Sequence, residues 1–280
     1  MPRDPRADPR LSPLIDAALA GAHVVMELYG TDFSVHHKLD SSPVSAADVG
    51  SEHAIAERLR AAMPDVPIVA EEEMATNGAP KIGRTFLLVD PLDGTKEFIS
   101  RNGEFTVNIA LIEDGAPTIG VLLAPALGLA YAGSSAGAWK GAITPDLSRI
   151  DPWRPINARA SGPHPVAVAS RSHMNPATAN ALSQAACGEH RSIGSSLKFA
   201  LLAEGEADFY PRLGPTMEWD TAAGDAVLRA GGGAVVTLEG TPLRYGKTGI
   251  EKKRDFENPH FIAAGDPKLL ERLDLTTLRS

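Results

Sequence analysis

Two carboxylates, Asp90 and Asp93, sit three residues apart in Asp90-Pro91-Leu92-Asp93-Gly94-Thr95, directly after an apolar run at residues 85–89. The pattern predicts a buried strand that runs straight into a polar turn shaped by Pro91 and Gly94. Carboxylates this close repel one another unless a cation neutralises them, and they are the hard oxygen donors that such a cation takes. Gly94 and Thr95 lead into a short helix expected at residues 96–100, where backbone N–H groups can receive a phosphate. Metal binding is the stronger reading of this segment. Two further acidic stretches stand out, Ala70-Glu71-Glu72-Glu73 and Trp219-Asp220-Thr221-Ala222-Ala223-Gly224-Asp225. Each has a plainer reading in isolation. A run of glutamates suits a solvated loop, and Asp220 suits a helix cap.

The elements that must position these groups follow from the hydrophobic periodicity. Ser12-Pro13 reads as a helix start, with Leu14, Ile15, Ala18, Leu19, Ala22, Val25, Met26 and Tyr29 at helical spacing and Gly30 at the end. A second helix is expected at residues 47–63, stopped by Pro64. Residues 105–112, 118–123 and 127–131 read as antiparallel strands turned at Asp114-Gly115 and Pro125. The prolines Pro145, Pro152, Pro155, Pro163 and Pro165 mark the expected boundary between two halves, residues 1–145 and 146–280. The second half alternates strands at 166–170, 207–210 and 234–238 with helices at 176–186, 195–204 and 220–230. The fold class is α/β with α+β layering, helices alternating with mixed β-sheets. The loop at residues 74–81 matches no pattern.

Taken in order, the three acidic stretches resemble the signatures of the inositol-monophosphatase superfamily, and the similarity runs from about Leu14 to Phe261. The resemblance implies that fold and a Mg2+-dependent phosphomonoesterase. Glu71, Asp90 and the Leu92 carbonyl would bind one Mg2+, and Asp90 would bridge to a second completed by Asp93 and Asp220. Two or three ions would receive the phosphate, lower the pKa of a bound water and stabilise the leaving alkoxide. Gly94 and Thr95 would hold the phosphate through N–H groups, while Glu71 and Thr95 would orient and deprotonate the water. Asp48 matches an aspartate near the same water, its plainer reading being a first-turn helix acid. The superfamily includes inositol, sugar and nucleotide phosphatases.

Further stretches resemble the bacterial 3′(2′),5′-bisphosphate nucleotidase branch associated with sulfate assimilation. They are Ser170-Arg171-Ser172-His173, Gly194-Ser195-Ser196-Leu197-Lys198-Phe199, the segment from Tyr210 to Thr216, and that from Lys96 to Thr106. The implied substrate is adenosine 3′,5′-bisphosphate, its 2′,5′ isomer or the 5′-phosphosulfate analogue. A second phosphate that stays behind needs cations and donors away from the metals, and Lys198 and Arg212 supply the charge. Ser170, His173, Ser195 and Ser196 complete the expected substrate contacts, together with Glu71, Leu92, Asp93, Gly94, Thr95 and Asp220. Asp225 departs from the residue that branch has there, either as a surface change or as a change in pocket charge. An inositol or sugar monophosphatase is the enzymatic alternative. A non-catalytic nucleotide- or metal-sensing protein is the alternative from another class, and the complete acidic set argues against it.

The formal charge of −8 excludes a general nucleic-acid binder, which needs a basic face. The single cysteine, Cys187, rules out an intrachain disulfide and fits a reducing compartment. No apolar run suggests an integral membrane segment. The expected location is the cytoplasm, with a peripheral place on the cytoplasmic face of the inner membrane as the alternative. The oligomeric state, monomer or homodimer, is not fixed by the sequence.

Overall fold

A computed structural model describes residues 4–31, 43–169, 175–251 and 253–278, the side chains of 43–45 excepted. Helix α1, Leu11–Tyr29, buries Leu14, Ile15, Ala18, Ala22 and Val25 along one face, as the 3.6-residue spacing requires. It begins ahead of Ser12, so that hydroxyl lies inside the first turn instead of capping it, and Gly30 ends it by donating to the Met26 carbonyl. By length and composition α1 alone is apolar enough to cross a bilayer among the described residues, a test that the core helix of a globular fold also passes, and half of its apolar window is buried. Its apolar residues instead pack into a core with the first sheet. Helix α2, Pro43–Ala62, starts earlier than predicted and lies beside α1.

The first sheet holds β1 (Ile68–Ala70), β2 (Thr85–Asp93), β3 (Thr106–Glu113), β4 (Ala116–Ala124), β5 (Leu129–Ser134), β6 (Gly137–Ile143) and β7 (Ile150–Ile156), ordered as in the sequence. Only β1 and β2 run parallel; the remaining neighbours are antiparallel. Asp114 and Gly115 both have positive φ and turn the β3–β4 hairpin. The proline-rich stretch contains β7, because an edge strand tolerates proline where its missing N–H faces away from the sheet. The change from one sheet to the other therefore follows Ile156.

The second sheet has the order β11 (Ala234–Thr237), β12 (Phe261–Ala264), β10 (Phe209–Arg212), β8 (Val166–Ala169), β9 (Glu189–Ser192). Helices α6 (Leu197–Ala203) and α7 (Ala222–Ala230) lie between the sheets in one continuous apolar core. Helix α5 (Pro176–Gln184) covers the outer face of the second sheet, where Ala181 packs with Phe209, Ile262 and Leu269. The layers thus run helix, sheet, helix, sheet, helix. A Cβ on Gly120 of β4 would stand 2.3 Å from the Ala223 carbonyl, so only glycine lets α7 lie this close.

Candidate active site

An extra residue in β2 creates the site. Asp90 is opposite Asn108 and Asp93 is opposite Thr106, so the step from 90 to 93 is matched by a shorter step on β3. In a regular strand, residues three apart point to opposite faces. The bulge cancels that alternation and returns Asp93 to the face Asp90 occupies. This is the α6–α7 face, because Phe86 and Leu88 of the same strand pack into the inter-sheet core. Ser51 of α2 pins the bulge by donating to the Pro91 carbonyl at 3.1 Å, and Leu92 buries its side chain in the outer core. Gly94 follows at φ 97°, a conformation that favours glycine, and begins α4, Thr95–Ile99.

Because β1 is parallel to β2, with Ala70 opposite Val89, the carboxyl ends of both strands lie together. Glu71 thus emerges beside Asp90. The glutamate run forms the first turn of α3, Glu71–Asn77, where acids suit the helix dipole; this helix replaces the solvated loop and takes up part of the unmatched stretch at 74–81. Glu52 of α2 caps it, its carboxylate accepting the N–H groups of Glu72 at 2.8 Å and Glu73 at 2.9 Å. Asp48, one helical turn before Glu52, is buried and lies beyond the first turn of α2. Spacing of Asp48 and Glu52 by four residues was a signal in the sequence that Glu52 belonged to this cluster.

Asp220 reaches the site from the turn before α7. Its Oδ2 accepts the Met217 N–H at 2.8 Å. Glu218, fully buried, secures the turn by accepting the N–H groups of Gly246 and Lys247 at 2.6 and 2.9 Å and the Lys247 ammonium at 2.6 Å. Asn258 donates to the Met217 carbonyl at 2.7 Å. Asp225 is neither on the surface nor in the pocket. It forms a two-pronged pair with Arg229 at 2.6 and 2.8 Å and accepts the Tyr245 hydroxyl at 2.9 Å, deep in the fold.

A cavity of about 270 Å³ opens over this arrangement. Asp93, Gly94, Thr95, Ser195, Lys198, Arg212 and Asp220 all line it, together with Tyr210 and Thr216, the two ends of the segment that resembles the nucleotidase branch. Ser195, at φ 46°, has a buried Oγ with no hydrogen-bond partner among the described residues, and the buried Nε of Arg212 also lacks one. The other arm of Arg212 donates to the Pro215 carbonyl at 2.6 Å. Lys198 is buried over the Tyr210 ring and donates to the Ile193 and Ser195 carbonyls, which leaves one of its three N–H bonds. Burial holds its ammonium down at about 8. Ser196, expected beside the substrate, is turned inward and 2 % exposed, its hydroxyl engaged by protein groups. Ser170 and His173 lie outside the described residues.

A model of the inositol monophosphatase family matches residues 7–276. The chain belongs to the inositol monophosphatase family. It is 45 % identical over 241 residues to the 3′(2′),5′-bisphosphate nucleotidase CysQ of Escherichia coli K12, covering 85 % of this chain and 92 % of that one. The CysQ nucleotidase of Buchnera aphidicola is 39 % identical over 256 residues, covering 91 % and 93 %. The crystal structure of CysQ from Bacteroides thetaiotaomicron superposes with a TM-score of 0.76 at 36 % identity, covering 91 % of this chain and 97 % of that one. An inositol monophosphatase from Zymomonas mobilis shares the fold at 22 % identity, with a TM-score of 0.77 and coverage of 99 % and 100 %.

Inositol monophosphatase family members are metal-dependent phosphatases, and the donor set here fits a hard divalent cation. Glu71, Asp90, Asp93 and Asp220 offer only carboxylate oxygens. Burial first, then repulsion from Asp220, Asp48 and Asp93, pushes the Glu71 carboxyl up to about 8. Burial and Asp93 take Asp220 to about 7, burial with Glu72 and Glu52 takes Asp48 to about 8, and Asp90 rises well above the usual range through burial and Glu71. Among the described residues no three acidic side chains already converge as a ready-made cage. An oxygen-seeking cation is what would draw such a set together.

These shifts fix the sign of a pH effect. Acids raised by folding bind more protons folded than unfolded, so the chelated protein loses stability as pH climbs from about 4 towards 8. A divalent cation reverses the repulsion among the ionised groups. The gain in melting temperature from Mg2+ over chelator is therefore larger at pH 8 than at pH 6. Thermal melts at both pH values check this, and an equal or smaller gain at pH 8 contradicts it.

Proposed function

We propose that this chain is a Mg2+-dependent 3′(2′),5′-bisphosphate nucleotidase that removes the 3′-phosphate from adenosine 3′,5′-bisphosphate and leaves AMP. The 2′,5′ isomer and the 5′-phosphosulfate analogue share the groups it would recognise. One observation carries the reading. One cavity is lined both by the acids Asp93 and Asp220 and by two buried donors that have no hydrogen-bond partner among the described residues, Ser195 Oγ and Arg212 Nε. A monoester needs only the first set; a second phosphate accounts for the other. The CysQ relatives, nucleotidases at 45 % and 39 % identity, support the same substrate class.

Glu71, Asp90, Asp93, Asp220 and the Leu92 carbonyl would hold two or three Mg2+ ions. When bound, these supply charge neutralisation for the phosphate dianion, acidify water and stabilise the departing alkoxide. The Gly94 and Thr95 N–H groups orient the phosphate. Glu71 would take the proton from the attacking water at its carboxylate, ionised once cations offset the repulsion around it, with Thr95 and Asp48 helping to aim that water. Arg212 grips the phosphate that stays behind, with Ser195 and the remaining Lys198 N–H beside it.

The test is a substrate panel. The purified chain should release phosphate from adenosine 3′,5′-bisphosphate in Mg2+ and lose that activity on chelation, with inositol 1-phosphate and fructose 1,6-bisphosphate turned over far more slowly. Activity that survives exhaustive chelation overturns the metal mechanism, and a preference for inositol 1-phosphate overturns the substrate.

A further inference from the structure

Asp93 and Asp220 belong to different parts of the molecule, one to the bulge of β2 and the other to the turn before α7. Ser196 touches both. The single proton on its Oγ is shared between Asp93 Oδ2 at 2.8 Å and the Asp220 carbonyl at 2.6 Å. The same oxygen accepts Nδ2–H of Asn108 at 3.1 Å. Asn108 is itself buried, on β3 directly opposite Asp90. One hydroxyl therefore ties the segments bearing Asp90, Asp93 and Asp220 to one another.

We propose that Ser196, oriented by Asn108, is a positioning residue that fixes the Asp93 carboxylate against the Asp220 backbone and so sets the affinity of the acidic cluster for divalent cation. The inference rests on the metal-centre reading of that cluster. A carboxylate that accepts a hydrogen bond from a buried, immobile donor has one rotational freedom fewer to lose on binding an ion. Without the donor, cation binding must itself order Asp93 and draw the Asp220 turn towards β2. Groups that hold metal ligands in this way are typically worth about 10- to 100-fold in metal affinity. The role differs from substrate contact, since the hydroxyl is engaged by protein groups and does not line the cavity.

The experiment titrates the full chain with Mg2+ in the absence of substrate, by calorimetry and by thermal shift, for wild type, Ser196→Ala and Asn108→Ala. Ser196→Ala should raise the Mg2+ concentration for half-saturation by about tenfold or more, and Asn108→Ala should shift it in the same direction by less. At saturating Mg2+ the KM for adenosine 3′,5′-bisphosphate should stay within about threefold of wild type. Unchanged Mg2+ affinity in Ser196→Ala overturns the proposal, as does a lower melting temperature with unchanged affinity, which marks a merely structural role. A raised KM with normal Mg2+ affinity overturns it in favour of substrate contact. If Ser196→Ala does not fold, Ser196→Cys, which keeps the size but offers only a weak S–H donor, must show the same weakening. A wild-type chain that does not respond to Mg2+ removes the metal reading and the brace together, whereas a responsive wild type with an equally responsive Ser196→Ala removes the brace alone.

Discussion

Asp93→Asn and Asp220→Asn each lower the turnover of adenosine 3′,5′-bisphosphate by roughly 10² to 10⁴ while the chain remains folded. Asparagine keeps the shape of the side chain and removes one unit of the negative charge that holds cation. Loss of metal stabilisation worth several kcal/mol in the transition state gives a rate effect on that scale. Folding survives because each substitution thins a group of acids that already repel: Asp93 raises both Asp220 and Glu71. In Asp220→Asn the amide oxygen can still accept the Met217 N–H that Asp220 Oδ2 accepts now. Initial rates at saturating Mg2+, with a thermal melt of each variant, make the measurement. Near-normal turnover in either variant removes that residue from the metal centre.

Arg212→Ala raises the KM for the bisphosphate by about 10- to 100-fold and leaves kcat near wild type. A charge-assisted contact to a phosphate that is not cleaved exists in both ground and transition states, so its loss appears as binding. Such contacts are worth roughly 1.5–3 kcal/mol, which sets the size of the change. The informative control is adenosine 3′-monophosphate, which lacks the second phosphate and should lose far less. Equal losses on both substrates place Arg212 at the cleavage site or in folding, and no loss on either returns it to a structural role through its bond to the Pro215 carbonyl. Arg212 is a sharper probe than Lys198. The lysine already spends two donors on Ile193 and Ser195, so its removal also disturbs the loop that presents Ser195.

The acidic motif around Asp90 was legible as residue types, but its backbone was read wrongly. The sequence predicts a strand that stops at residue 89 before a turn at Pro91, whereas β2 continues through a bulge to Asp93 and only Gly94 leaves it. That Asp90 and Asp93 share a face was not legible. It depends on the register of β2 against β3, and the bulge exists only in the pairing. Residues Ser195 and Ser196 show the same limit. They are identical in type and adjacent in sequence, yet one lines the cavity and the other turns inward to the acids, a choice made by packing. Asn108 did leave a trace, a lone amide within the apolar run of β3. Strand β9, with the sequence Glu-His-Arg-Ser, left none, since a polar edge strand has no apolar alternation to read. The layered arrangement of mixed sheets and helices was legible, being carried by long periodic segments such as α1.

The placement of Asp220 has a consequence for biosynthesis. A nascent chain that has emerged only as far as β7 carries Glu71, Asp90 and Asp93 and every strand of the first sheet, but neither Asp220 nor the Ser196 that grips Asp93. Translation must proceed beyond residue 220, and α7 must seat on the glycine floor at Gly120, before the cluster gains its last acid. The acidic cluster is therefore completed late in synthesis, after both β7 and α6 have been made.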